Sequence, residues 1–221
     1  GLGDDDPVVA ACLSNLASVL DSLGDPKGAR PLYERALAID ERVLGAEHPD
    51  TACDLSNLAM LLHGLGDDAG ARPLLERAFA IDEKALGPRC PETAMDLNNL
   101  ATVLTAMGDL RGARPLFERS LSIREETLGP TDLDTAQSAS SLAGVLHDLG
   151  DYRGARTLHE RALRIRESRL GAESPETTRS LNNLALVLQD AGDLAQARSL
   201  LATVVKVREK RLGPDHPDTA L

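Results

Sequence analysis

At 221 residues the chain is long enough for a large core, and its 27% of charged residues is ordinary for a soluble protein. A formal net charge of −11, with two Phe, two Tyr and no Trp, repels a phosphate backbone and leaves almost nothing for bases to stack on, which argues against nucleic acid. The apolar runs are only a few residues long against the roughly 20 that cross a bilayer, so no membrane partner is expected.

Three ladders organise the chain. Gly-Asp recurs at Gly24, Gly66, Gly108, Gly150 and Gly192, a constant step of 42 residues. Leu-Gly keeps that step from Leu44 through Leu86, Leu128 and Leu170 to Leu212, as does proline at Pro7, Pro49, Pro91, Pro175 and Pro217, with Leu133 substituting once. A fixed period of this size marks a repeat architecture. In chain order, residues 1–6 read as the end of a preceding repeat. Five repeats follow at 7–48, 49–90, 91–132, 133–174 and 175–216, and 217–221 begin another. The ends, LGDDDP at 2–7 and LGPDHP at 212–217, are in phase, so a window of a longer array forming a single solenoid domain is expected.

Each repeat reads as two helices, as 91–132 illustrates. Pro91 suits a first helical position and Glu92 the positive helix end. Leu97, Leu100, Ala101, Leu104 and Met107 then follow helical spacing, an apolar stripe. Gly108 stands where a left-handed cap is wanted, and Asp109 can cap the next helix. There Ala113, Leu116, Phe117, Leu121, Ile123 and Leu128 are the expected buried positions, and Gly129-Pro130 stops the helix. GARP at 28–31, 70–73 and 112–115 resists this pattern, because an interior proline loses a hydrogen bond and clashes with the preceding turn. The second helix is expected to begin irregularly or to bend there, with the glycine admitting close approach of the paired helix.

Leu-x-x-Leu-Ala-x-x-Leu, Gly-Asp, then Ala-x-x-Leu-x-x-x-Ala-Leu resembles the tetratricopeptide repeat, carried here by Leu97, Leu100, Ala101, Leu104, Gly108, Ala113, Phe117 and Ser120. Leu replaces the usual Trp and Tyr, and the 42-residue form with LNNLA, ARPLFERSLSIREETLG and HPDTA resembles the repeats of kinesin light chains. The resemblance implies an all-α, right-handed superhelical solenoid of antiparallel helix pairs. It also implies that the first helix of each repeat lines a concave groove.

No catalytic constellation stands out, so no enzyme activity, cofactor or metal is expected. HERAL at 159–163 lacks the second His of a zinc-protease helix, and the glycines are helix punctuation, not a phosphate loop. Cys12, Cys53 and Cys90, odd in number and without C-x-x-C spacing, read as reduced thiols of a cytoplasmic protein. His48 and His216 fall in inter-repeat loops, where capping or surface roles are expected. Charged residues late in the second helix, among them Arg124, Arg166 and Arg208, read as a solvated outer face. Arg72–Glu76 and Arg114–Glu118 read as helical ion pairs worth a few tenths of a kcal/mol each.

Mapped through the resemblance, the groove-lining candidates are Asn15, Asn57, Asn98, Asn99, Gln137, Arg179, Asn182 and Asn183, with His63 and His147 further along. The asparagines have two readings, which are not exclusive. Each amide bonds a neighbouring helix and fixes the stacking, or it pairs with the backbone of an extended peptide. Arg179 is the one strong cation among these positions, which argues against carboxylate-tail or acidic-cargo ligands. The expected partner is a neutral or mildly basic peptide or protein segment held by a non-catalytic scaffold. The alternative is a regulatory or sensor segment of a larger signalling ATPase or caspase-like protease. Self-association through uncapped array ends is a further expectation.

Overall fold

The computed structural model describes residues 6–213. The expected partial repeats at the termini, Asp6 excepted, lie outside the described residues, as do His216 and Pro217. Ten helices and no strand make up the described residues: α1 (Pro7–Ser22), α2 (Pro26–Val43), α3 (Pro49–Gly64), α4 (Asp68–Ala85), α5 (Pro91–Ala106), α6 (Leu110–Thr127), α7 (Leu133–Asp148), α8 (Tyr152–Leu170), α9 (Pro175–Asp190) and α10 (Leu194–Leu212). The chain divides into two compact units, 1–123 and 124–221, the boundary falling in the last turns of α6. The fold is all-α, built from helix pairs.

The Gly-Asp dipeptide ends one helix and starts the next. After α5, Gly108 takes φ +83, a backbone region that side chains with a Cβ rarely adopt. Its N–H donates to the Thr105 carbonyl at 3.0 Å and the Asp109 N–H to the Leu104 carbonyl at 2.8 Å, the paired bonds of a Schellman cap. Asp109 Oδ1 then accepts from the Gly112 N–H at 2.9 Å, satisfying a free donor at the start of α6.

Gly112 owes its place to that cap. A Cβ there would lie 2.4 Å from Asp109 Oδ2, and the same collision with Asp25, Asp67 and Asp151 awaits Gly28, Gly70 and Gly154. The glycine therefore makes room for the capping carboxylate, and the expected close approach of the paired helix is not its role, although Gly154 also sits near Leu146. The prolines are accommodated too. α2, α4 and α6 run unbroken through Pro31, Pro73 and Pro115, all exposed in the second helical turn, where water can serve the freed carbonyl.

A second device closes the loop between repeats. The Oγ1 groups of Thr51, Thr93, Thr135 and Thr177 each donate at 2.9 Å to the carbonyls of Gly45, Gly87, Gly129 and Gly171. All four threonines are fully buried. His48 caps α3 through Nδ1, which accepts from the Asp50 N–H at 3.2 Å.

Burial follows the apolar stripes, with two corrections. Ala94, Leu97 and Ile123 pack with Phe79 and Leu116 in one unit, and Leu163, Leu181, Leu184, Leu188, Ala197 and Val204 pack in the other. Met107 and Leu128, expected inside, are 44% and 40% exposed. Met107 is the cap residue of α5 and Leu128 follows α6, so both stand at helix ends, off the packed stripe. Arg72–Glu76 and Arg114–Glu118 pair at 2.7 Å, about half-exposed, as expected.

Candidate peptide-binding groove

The first helices carry the asparagines, and they are not core residues. Asn15 is exposed, while Asn57, Asn98, Asn99, Asn182 and Asn183 are half-buried. Asn57 Nδ2 reaches only Cys53 Sγ of its own helix, at 3.6 Å. In the unit 6–123, bonding between successive first helices falls to the residue just before the asparagine. Ser14 Oγ on α1 donates to Asp54 Oδ1 on α3, and Ser56 Oγ on α3 donates to Asp96 Oδ1 on α5, both at 2.6 Å.

Those aspartates, which the sequence reading missed, belong to buried carboxyl pairs. Asp54 faces Asp40 of α2, and Asp96 faces Asp82 of α4. All four are at most 5% exposed. Asp40 Oδ1, Asp54 Oδ2, Asp82 Oδ1 and Asp96 Oδ2 are buried without a hydrogen-bond donor. Two carboxylates in a dry site oppose each other's ionisation, so each pair holds a proton more readily than free carboxyls do. Burial raises Asp54 to about 6 against the hydrogen bond from Ser14. Burial likewise raises Asp96 to about 7, opposed by the Ser56 bond and assisted by the Asp82 charge. A signal was present: Ile-Asp-Glu recurs at 39–41 and 81–83, with an acid in register with the apolar stripe.

The unit 124–213 fills the matching place with Arg166. It is 7% exposed, which corrects its assignment to a solvated face. From α8 its Nη1 donates to Ser140 Oγ of α7 at 3.0 Å and to Ser180 Oγ of α9 at 2.5 Å. Its Nη2 donates to Gln137 Oε1 at 2.8 Å. The guanidinium matches three acceptors on two helices, a geometry suited to its planar fork. Burial, reinforced by Arg179, lowers its pKa from the ordinary value.

Of the remaining candidates, Gln137 and Arg179 line one cavity of about 350 Å³ together with Arg166 and Glu176. His147 and Asn183 line another, of about 230 Å³, between α7 and α9. His147 Nε2 lies 2.7 Å from Asp190 Oδ2, and its Nδ1 lies 3.4 Å from Asp148 Oδ1. In the other unit, His63 Nδ1 sits 2.5 Å from Asp68 Oδ1 of the following helix. Among the described residues no group of three or more His, Cys, Asp or Glu side chains is placed to hold a metal ion, and no helix is long and apolar enough to cross a membrane.

Solved structures resemble this arrangement. Nearly identical TPR-like repeats from Podosopora anserina, described as a kinesin light chain, share 27% identity and superpose with a TM-score of 0.80, covering 92% of this chain and 96% of that one. BtubC (BKLC) from P. vanneervenii shares 25% identity with a TM-score of 0.81, covering 96% and 84%. The apo form of RapI, at 16% identity and a TM-score of 0.76 over 91% and 70%, shows the fold alone. No curated protein matches the chain in sequence. The tetratricopeptide repeat pattern matches residues 8–84, 57–126, 92–168 and 177–218, and the chain belongs to the tetratricopeptide repeat family, in a form structurally similar to kinesin-light-chain repeats.

Proposed function

We propose that the chain is a protein-interaction scaffold without chemistry of its own, holding extended peptide along the first helices, through Asn57, Asn98 and Asn99 in one unit and through Asn182 and Asn183 in the other. Repeats of this family commonly serve as protein-interaction scaffolds, which supports the coarse reading. One observation carries the finer one. In the unit 6–123, neighbouring first helices are joined by Ser–Asp bonds, while the adjacent Asn57 amide has only a weak contact within its own helix. A half-buried amide that offers both a donor and an acceptor suits a peptide backbone of any sequence. The net charge of −11 favours a neutral or mildly basic ligand. Free Cys12, Cys53 and Cys90 fit a reducing, cytoplasmic setting.

The test is a random-peptide selection followed by anisotropy titration of the enriched sequences. Combined Asn99→Ala and Asn183→Ala substitution should weaken binding at least tenfold while leaving the melting temperature within a few degrees. Retained binding with a large loss of stability would assign the asparagines to stacking instead.

A further inference from the structure

The cavity of about 230 Å³ in the unit 124–213 arises from two exchanges at repeat-equivalent places. Where Gly144 stands, the other repeats carry Ser18, Met60, Thr102 and Leu186. A Cβ at Gly144 would meet nothing within 4 Å, so the glycine is there without any steric demand and leaves the space open. Where His159 stands, the other repeats carry Tyr33, Leu75, Phe117 and Leu201. Packing alone is served by those residues, yet here an imidazole only 3% exposed lines the cavity with Nδ1 lacking any hydrogen-bond partner. A buried polar group left unpaired is costly and calls for an explanation.

The cavity offers a hydrogen-bond acceptor and a carboxylate. Burial, with Arg166 and His147 adding to it, lowers His159 to about 4, so the ring is neutral near pH 7 and one nitrogen is an acceptor. At the mouth stands Asp148, with Asp190 on the far side of His147. The matching places in the first three repeats are Ser22, Gly64 and Ala106, so these two carboxylates are peculiar to this end of the chain. Both share the single His147 ring. Leu186, 46% exposed, supplies an apolar wall.

We propose that this cavity takes a lysine or arginine side chain of a peptide lying along α7 and α9. The aliphatic stem runs over Leu186 and past Gly144. The cationic head shares the cavity with the Asp148 carboxylate and donates a hydrogen bond to the imidazole of His159. A desolvated cation needs both kinds of partner, an opposite charge and a hydrogen-bond acceptor. The inference rests on the peptide-groove reading and gives it a side-chain anchor.

The probe is a set of fluorescein-labelled nine-residue peptides of Ala, Ser and Gly whose central residue is Lys, Arg, norleucine, Glu or Gly, titrated against the full chain. Lys and Arg peptides should bind at least tenfold more tightly than norleucine, with Glu weakest. Gly144→Leu, which restores the side chain found at Leu186, should erase that preference. His159→Phe, which copies Phe117, should cut it about fivefold and leave the Gly peptide unchanged. Circular-dichroism melting checks that both variants fold, and Asp148→Asn at the exposed mouth should also reduce the preference. Equal affinity for norleucine and lysine, or a preference that survives Gly144→Leu, overturns the anchor while the groove reading stands. If no peptide binds, the Gly peptide included, the groove reading falls and the anchor with it.

Discussion

At one repeat-equivalent position the two halves of the molecule use opposite chemistry. In the unit 6–123 the second helices send Asp40 and Asp82 toward the first helices, where Asp54 and Asp96 meet them. In the unit 124–213 the second helix sends Arg166, and the facing residues are Ser140, Ser180 and Gln137. The partners have changed in step with the intruding side chain. An acid entering a site that already holds an acid holds a proton more readily, whereas an arginine brings its own donors to neutral acceptors. The fold therefore admits a buried polar contact of either sign at this junction. At this junction the acidic half's stability is tied to carboxyl protonation, whereas the Arg166 contact carries its own donors.

The largest effect is expected where the donor is unique. Arg166→Ala leaves Ser140, Ser180 and Gln137 without their shared partner and opens a void, a loss of about 3 kcal/mol. Amide exchange should show the loss in α7, α8 and α9, with α3 to α5 unaffected. Arg166→Met keeps the stem and lets the two hydroxyls pair with each other, so it should recover part of the stability. A loss below about 1 kcal/mol for Arg166→Ala would mean that the arginine network is dispensable, and the comparison between the halves would collapse.

In the other half the proton is the exposed weakness. Asp96 is raised by burial to about 7 from an ordinary 3.8, so between about pH 4 and 7 the folded chain holds more protons than the unfolded one. This contribution to stability is complete below pH 4 and is lost as pH rises through 7. The groups facing Asp96 are Asp82 of α4 and Ser56 of α3, with Glu92 on its own helix. Asp96→Asn keeps an oxygen to accept from Ser56 and gives Asp82 a donor at every pH. Urea unfolding should show it about 2 kcal/mol more stable than the parent at pH 8, with no gain at pH 4.5. An effect of the same size at both pH values would show that the pair does not titrate in this range.

The helices were legible because their punctuation is local. Gly108 and Asp109 specify a cap from within five residues of chain, and a 42-residue recurrence of such signals leaves little freedom. The junction chemistry was not legible. Arg166 and the exposed Glu167 are adjacent charged residues, and which one turns inward depends on where the neighbouring first helices lie. The candidate groove was half legible. The asparagines stood out as polar interruptions, but the bonding of neighbouring helices by Ser14 and Ser56 depends on aspartates 40 residues away. His159 read as a failed zinc motif. Its meaning comes from the cavity it lines with Gly144, a residue on another helix.

A finer difference separates the first four repeats from the fifth, and it gives the smallest effect. Gly28, Gly70, Gly112 and Gly154 hold their capping aspartates at 2.9–3.0 Å, whereas Gln196 in the same place donates to Asp193 at 3.3 Å. A side chain at this position thus coexists with the cap only by stretching it. Gly112→Ala should gain about 1 kcal/mol in helix propensity and lose a similar amount by displacing Asp109. The single variant is therefore expected within about 0.5 kcal/mol of the parent, which alone would look like indifference. A double-mutant cycle separates the two terms. Asp109→Ala should cost about 1 kcal/mol in the parent and less than half that in the Gly112→Ala background, because the cap has already gone. Strict additivity would mean that the carboxylate finds another route to the helix end, and that the glycine ladder serves something other than the cap.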